Sequence, residues 1–165
     1  MRRFPALVAL VASSCGYQVA RPGELPKGQP IRVAAFENYT AQVEAGGLFA
    51  MALRSELQAR GKLAPESASA PELTGELLSL ASTPSALGAQ GATAYNLSAA
   101  IRVRLRDGSA VVYEDQLGLG EDYLAGIDVL GTEANRRAAM RRLARAISRE
   151  LLERMSVAAR FPAAK

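Results

Sequence analysis

Asn96-Leu97-Ser98-Ala99-Ala100-Ile101-Arg102-Val103-Arg104-Leu105-Arg106 is the most regular stretch of the chain. Leu97, Ala99, Ile101, Val103 and Leu105 alternate with Asn96, Ser98, Ala100, Arg102, Arg104 and Arg106. A period of two places the first set on one face of a strand and the second on the other, so a half-buried strand is predicted. Asp107-Gly108-Ser109 then supplies a turn, and Ala110 to Leu119 is the expected hairpin partner. A two-residue loop would turn Val111 and Tyr113 onto the arginine face. A three-residue loop sets Val111, Tyr113 and Leu117 behind Val103 and Leu105 with Glu114 opposite Arg102, and it is preferred because it buries more apolar area and pairs charges.

Further strands and helices follow outward from this hairpin. Ile31 to Phe36 reads as a short strand, ended by Asn38, Thr40 and the Gly46-Gly47 pair. From Leu48 to Arg60, Phe49, Ala52, Leu53 and Leu57 recur at helical spacing, and Gly61 offers a left-handed stop. Glu72 to Leu80 is a second strand, expected to close at Thr83-Pro84, with Ser85 to Thr93 as an exposed connection. Glu121 to Gly131 reads as a loop. Thr132 is the expected cap of a long helix to about Met155, with Met140, Leu143, Ile147 and Leu151 as its apolar stripe; the seven arginines around it are read as solvation, and as a second candidate binding surface after the strand arginines. The order is β-α-β-β-β-α. Two amphipathic helices need an apolar partner surface, and one face of a four-stranded, mainly antiparallel sheet supplies it, so the expected fold class is α+β, a two-layer sandwich.

Composition removes many functions. The chain has no histidine and no tryptophan, and its one cysteine is Cys15. Without histidine the usual general base, the commonest metal ligand and every Ser-His or Cys-His pairing are lost. Twenty Lys and Arg face 16 Asp and Glu, too even a balance, with too few aromatics, for a nucleic-acid surface. Gly88-Ala89-Gln90-Gly91 and Gly118-Leu119-Gly120 lack the lysine and setting of a phosphate loop and are expected to be plain turns. Glu114 and Asp115 point to opposite faces of a strand and cannot share a substrate. No metal, cofactor or catalytic residue is expected.

Residues 1–14 combine two arginines, an apolar run from Phe4 to Ala12, and the small Ser13 and Ser14 before Cys15. This order reads as an export signal cut ahead of the thiol. The apolar run is shorter than the about 20 residues a membrane-spanning helix needs. The segment resembles the lipobox of bacterial lipoproteins, with Ala12 where leucine is usual, and the resemblance implies diacylglycerol and an N-acyl chain on Cys15. Gly16, not aspartate, follows, which by the same resemblance implies the periplasmic side of the outer membrane. The expected organisation is a signal at 1–14, a lipidated tether at 15–30 rich in Pro and Gly, one domain at 31–157 and a flexible tail at 158–165.

Cys15-Gly16-Tyr17, Leu25-Pro26, Phe36-Glu37-Asn38-Tyr39-Thr40, Glu56-Leu57 with Gly61, Leu73-Thr74-Gly75-Glu76, Ala94-Tyr95-Asn96-Leu97, Tyr113-Glu114 and Thr132-Glu133-Ala134-Asn135-Arg136 occur in an order that resembles the LptE family. That family consists of lipoproteins of lipopolysaccharide assembly. The resemblance implies a non-enzymatic plug or scaffold inside the outer-membrane β-barrel LptD, with lipopolysaccharide as a second partner. The Phe36 to Thr40 segment alone is also similar to lipoprotein activators of periplasmic enzymes such as peptidoglycan synthases, the alternative function. Arg102, Arg104 and Arg106, with Arg32, are the candidate contacts to lipid phosphates or to an acidic barrel wall. A solvated open sheet face explains the same alternation.

Overall fold

The structure is a computed structural model that describes residues 28–89 and 91–160. The expected signal at 1–14 and the tether up to residue 27 lie outside the described residues. The elements are β1 (Arg32–Asn38), α1 (Ala45–Ala59), β2 (Glu72–Gly88), β3 (Gly91–Asp107), β4 (Ala110–Leu124) and α2 (Val129–Arg160). The strands lie in the order β1-β2-β3-β4, with β1 parallel to β2 and the other pairs antiparallel. A parallel pair requires a crossover, and α1 provides it. Both helices cover one sheet face. The α+β two-layer sandwich with β-α-β-β-β-α order is therefore the fold of this chain.

The alternation of β3 sets the core. Leu97, Ala99, Ile101, Val103 and Leu105 are all buried, under Phe49, Leu53 and Leu57 of α1 and Leu143, Ile147 and Leu151 of α2. Gly61 closes α1 at φ +63°, and the Lys62 N–H donates to the Leu57 carbonyl, a Schellman stop. Ile31, just ahead of β1, is held by a bond from its N–H to the Lys62 carbonyl and one to its own carbonyl from the Ala64 N–H. These bonds fix the end of the sandwich at which the chain enters.

Phe36 and Gly75 face each other across the parallel pair. A Cβ built on Gly75 would lie 2.3–2.5 Å from the Phe36 ring, so the ring occupies the space a side chain would take. An irregularity between Val33 and Phe36 lets both face the core although they are three residues apart.

Several boundaries differ from the sequence expectation. β2 does not close at Thr83-Pro84 and Ser85 to Thr93 is not a loop, because β2 runs to Gly88 and β3 starts at Gly91. β1 ends opposite Leu77, so beyond that point β2 is an edge strand and the missing N–H of Pro84 breaks no ladder bond with β1. The two strands form an arm exposed on both faces, which erases the apolar alternation that marks a half-buried strand. β4 extends to Leu124, so Gly118-Leu119-Gly120 is strand, not turn, and only residues 125–128 remain of the expected 121–131 loop. Gly120 fits there because a Cβ would come within 2.8 Å of the Asn96 side chain.

The β3–β4 hairpin also departs from the expected register. Asp107 pairs with Ala110, a shift follows between Leu105 and Arg106, and Glu114 then stands opposite Arg104, not Arg102. Tyr113 and Leu117 keep the expected core side, whereas Val111 falls at the shift opposite Arg106 and is 48% exposed. The cap of α2 is Asp128 and not Thr132: Asp128 Oδ1 accepts the Gly131 N–H at 2.6 Å, while Thr132 accepts from the Gly126 N–H at 2.9 Å and braces the approach. Asp128 stands inside the stretch that reads as a loop, which hides it as a cap. α2 continues through Arg160, beyond Met155, and residues 161–165 of the expected tail lie outside the described residues.

Replacing Gly75 with alanine is expected to destabilise the fold by about 1–3 kcal/mol through overpacking against Phe36. Urea unfolding monitored by circular dichroism checks this, and an unchanged midpoint would contradict the close approach.

Candidate functional site

The open sheet face is built by the even positions of β3 and their neighbours. Register places Glu76 of β2 opposite Arg102 and Glu114 of β4 opposite Arg104. Glu76 spans two arginines, with Oε2 3.0 Å from Arg102 Nη1 and Oε1 2.7 Å from Arg104 Nη1. Glu114 Oε1 lies 2.9 Å from Arg104 Nε, and Arg102 Nη2 donates to Gln116 Oε1 at 3.4 Å. The hydrogen bond and charge of Glu114, followed by those of Glu76, raise the Arg104 pKa above its ordinary value. These pairs form a cross-strand ladder in which each guanidinium already has a carboxylate.

The other two candidate arginines lie apart from this pair, at the end where the chain enters the sandwich. Arg32 pairs with Glu72 at 3.2 Å and donates to the Glu66 carbonyl at 3.2 Å. It shares a cavity of about 440 Å³ with Glu72 and Arg106, and Arg106 forms no ion pair among the described residues. Thus Arg102 and Arg104 form one cluster, and Arg32 and Arg106 another. The acidic partners were readable in the alternation Glu72, Thr74, Glu76 of β2, which places both glutamates on the arginine side.

Asp115 takes the opposite face, toward the helices. Its Oδ2 accepts the Tyr113 hydroxyl at 3.0 Å and lies 3.6 Å from Arg154 Nη1 of α2. Burial, reinforced by Asp115, pushes the Tyr113 phenol well above its ordinary pKa, so it remains a neutral donor. This pair fastens β4 to the end of α2.

The Phe36 to Thr40 segment makes the corner between β1 and α1. Asn38 Oδ1 accepts from the Thr40 N–H at 3.0 Å and the Thr40 hydroxyl at 2.8 Å, while Asn38 Nδ2 donates to the Gln42 carbonyl at 2.7 Å. Gly46 opens α1 directly beneath, where a Cβ would meet the Phe36 carbonyl at 3.0 Å. The segment therefore has a structural role, turning the chain from the parallel strand into its crossover helix. Among the described residues there is no group of side chains suited to hold a metal, and no helix is long and apolar enough to cross a membrane. Cys15 lies outside the described residues.

The matched family model is LptE, lipopolysaccharide-assembly, and the match spans residues 28–155, which take in all four strands, α1 and α2 up to Met155. The chain belongs to the LptE family. No curated protein matches this family member. Among solved structures, rare lipoprotein B from Shewanella oneidensis is similar at 15% identity and TM-score 0.52, with 76% of this chain and 94% of that one covered. A protein from Xanthomonas campestris is similar at 12% identity and TM-score 0.58, covering 80% and 86%. A hypothetical protein from Chlamydia trachomatis is similar at 14% identity and TM-score 0.55, covering 79% and 97%. At these identities the likeness shows the fold.

Glu76→Gln removes the carboxylate shared by Arg102 and Arg104. Because these side chains are partly exposed, stability is expected to change by less than about 1 kcal/mol, while sulfate binding by titration calorimetry should strengthen. Sulfate binding equal to that of the parent chain would show that Glu76 does not control access to the two arginines.

Proposed function

We propose that this LptE-family chain is a lipoprotein anchored through Cys15 at the periplasmic side of the outer membrane. There it serves as plug and scaffold of the β-barrel LptD and helps assemble lipopolysaccharide into the outer leaflet. The observation that carries this reading is the family match over residues 28–155, nearly all of the sandwich. The fold adds support: both helices pack on one sheet face, and the other is an open, charge-paired surface available to a large partner. Diacylglycerol and an N-acyl chain on Cys15 satisfy the need for more than one chain in stable anchoring, at about 0.8 kcal/mol per buried methylene.

Mild detergent extraction of the acylated chain is expected to bring down an outer-membrane β-barrel. Recovery of an inner-membrane synthase instead would favour the enzyme-activator alternative. Cys15→Ala should yield an unacylated precursor by mass spectrometry, and an acylated product would contradict the anchor.

Arg102, Arg104, Arg106 and Arg32 are proposed to meet lipid A phosphates or an acidic barrel wall. For Arg102 and Arg104 this requires an exchange of partners, from Glu76 and Glu114 to the incoming anion. The double change Arg102→Glu and Arg104→Glu is expected to weaken lipopolysaccharide binding at least threefold in a pull-down with a folded variant. Full binding would remove this surface from consideration.

A further inference from the structure

The arginines of α2 from Arg136 to Arg154 divide into two sets. Arg136 and Arg137 share Glu133, Arg142 pairs with Glu121, and Arg154 pairs with Glu150 and Asp115. Arg141, Arg145 and Arg149 are exposed and form no ion pair among the described residues. They recur every fourth residue, so they rise along one flank of the helix about 6 Å apart. Like charges at this spacing disfavour a helix, and no carboxylate among the described residues forms an ion pair with them. Glu56 and Glu121 border the same depression, but Glu121 is engaged by Arg142, and Glu56 forms no ion pair among the described residues.

Beside this stripe the two helices leave a shallow groove of about 190 Å³, floored by Leu48, Ala52 and Ala144, edged by the exposed Met51 and rimmed by Arg141 and Arg145. Small residues at the floor give room for one apolar side chain. The flank cations and the floor together suit a surface carrying a row of carboxylates next to an apolar side chain. On a β-strand, residues of one face recur about every 6.7 Å, close to the spacing of the arginines. Barrel interiors are polar and present one residue in two to the lumen. A bilayer headgroup surface offers no fixed spacing to match this row, whereas a strand of a barrel wall does.

We propose that the outer flank of α2, Arg141, Arg145 and Arg149 with the adjoining α1–α2 groove, docks against an acidic strand row on the inner wall of the β-barrel partner. This deepens the plug reading above and rests on it. It adds a contact on the helical layer to the one proposed above for the sheet face.

The acylated full chain is to be extracted with mild detergent from outer membranes containing its barrel, and the captured protein identified by mass spectrometry. The triple change Arg141→Glu, Arg145→Glu and Arg149→Glu is expected to lower barrel recovery at least tenfold, with an unchanged circular dichroism spectrum. The triple lysine variant should stay within about threefold of the parent. A photo-crosslinker at position 145 should join a barrel peptide containing lumen-facing Asp or Glu. If the parent chain captures no barrel, the plug reading itself fails. If parent and triple-glutamate variant capture it equally, or position 145 crosslinks only to another copy of this chain, the docking face is wrong while the plug reading stands. Loss of binding to vesicles of anionic phospholipid with barrel capture intact would likewise overturn the proposal in favour of a lipid contact. If the glutamate variant misfolds, the crosslink at position 145 decides alone.

Discussion

The Phe36 ring over Gly75 is the contact on which the arrangement of layers depends. β1 is the shortest strand and forms the one parallel pair of the described sheet, so its position is set by few ladder bonds. A bulky ring seated where β2 has no side chain fixes both lateral position and register. The same residue offers its carbonyl to the underside of Gly46, where α1 begins. The Asn38 side chain then makes four hydrogen bonds within the intervening turn. Strand, corner and crossover helix are thereby joined through Phe36 and Asn38.

The legible part of the fold is the part with two different sides. β3 alternates because one face meets the helices and the other meets water, and its core residues follow directly from that difference. The arm of β2 and β3 has water on both sides, so no period distinguishes it, and Pro84 speaks against a strand that edge position in fact permits. The hairpin parity is readable from Tyr113 and Leu117, but the shift at Leu105/Arg106 changes the charged partner of Arg102 without changing the buried face. Burial constrains only which side a residue takes. Pairing along the strand is decided by local backbone irregularity, and no side-chain pattern encodes it.

The candidate site is legible to a similar depth. Arg102 and Arg104 are recognisable as one face, but the sandwich brings Glu76 to both from another strand, and Arg32 with Arg106 lies around a separate cavity near the start of β1. Sequence distance conceals such partners: Glu76 and Arg102 are joined only through the antiparallel register of β2 and β3.

Charge distribution gives the two layers different characters. On the sheet, arginines and glutamates interleave across strands, so the face is close to electrostatic balance and an arriving anion must compete with carboxylates held at 2.7–3.0 Å. On α2, the paired acids sit toward the two ends, with Glu133 serving the first turns and Glu150 the last, while the middle is left cationic. A competing contact to Arg102 or Arg104 must first break bonds on the sheet, whereas a contact to Arg141, Arg145 and Arg149 breaks no ion pair among the described residues. For equal anionic partners the helical flank is therefore the stronger attractor, and the sheet face is the more selective one, since only a ligand able to satisfy both the freed guanidinium and the displaced carboxylate exchanges favourably there.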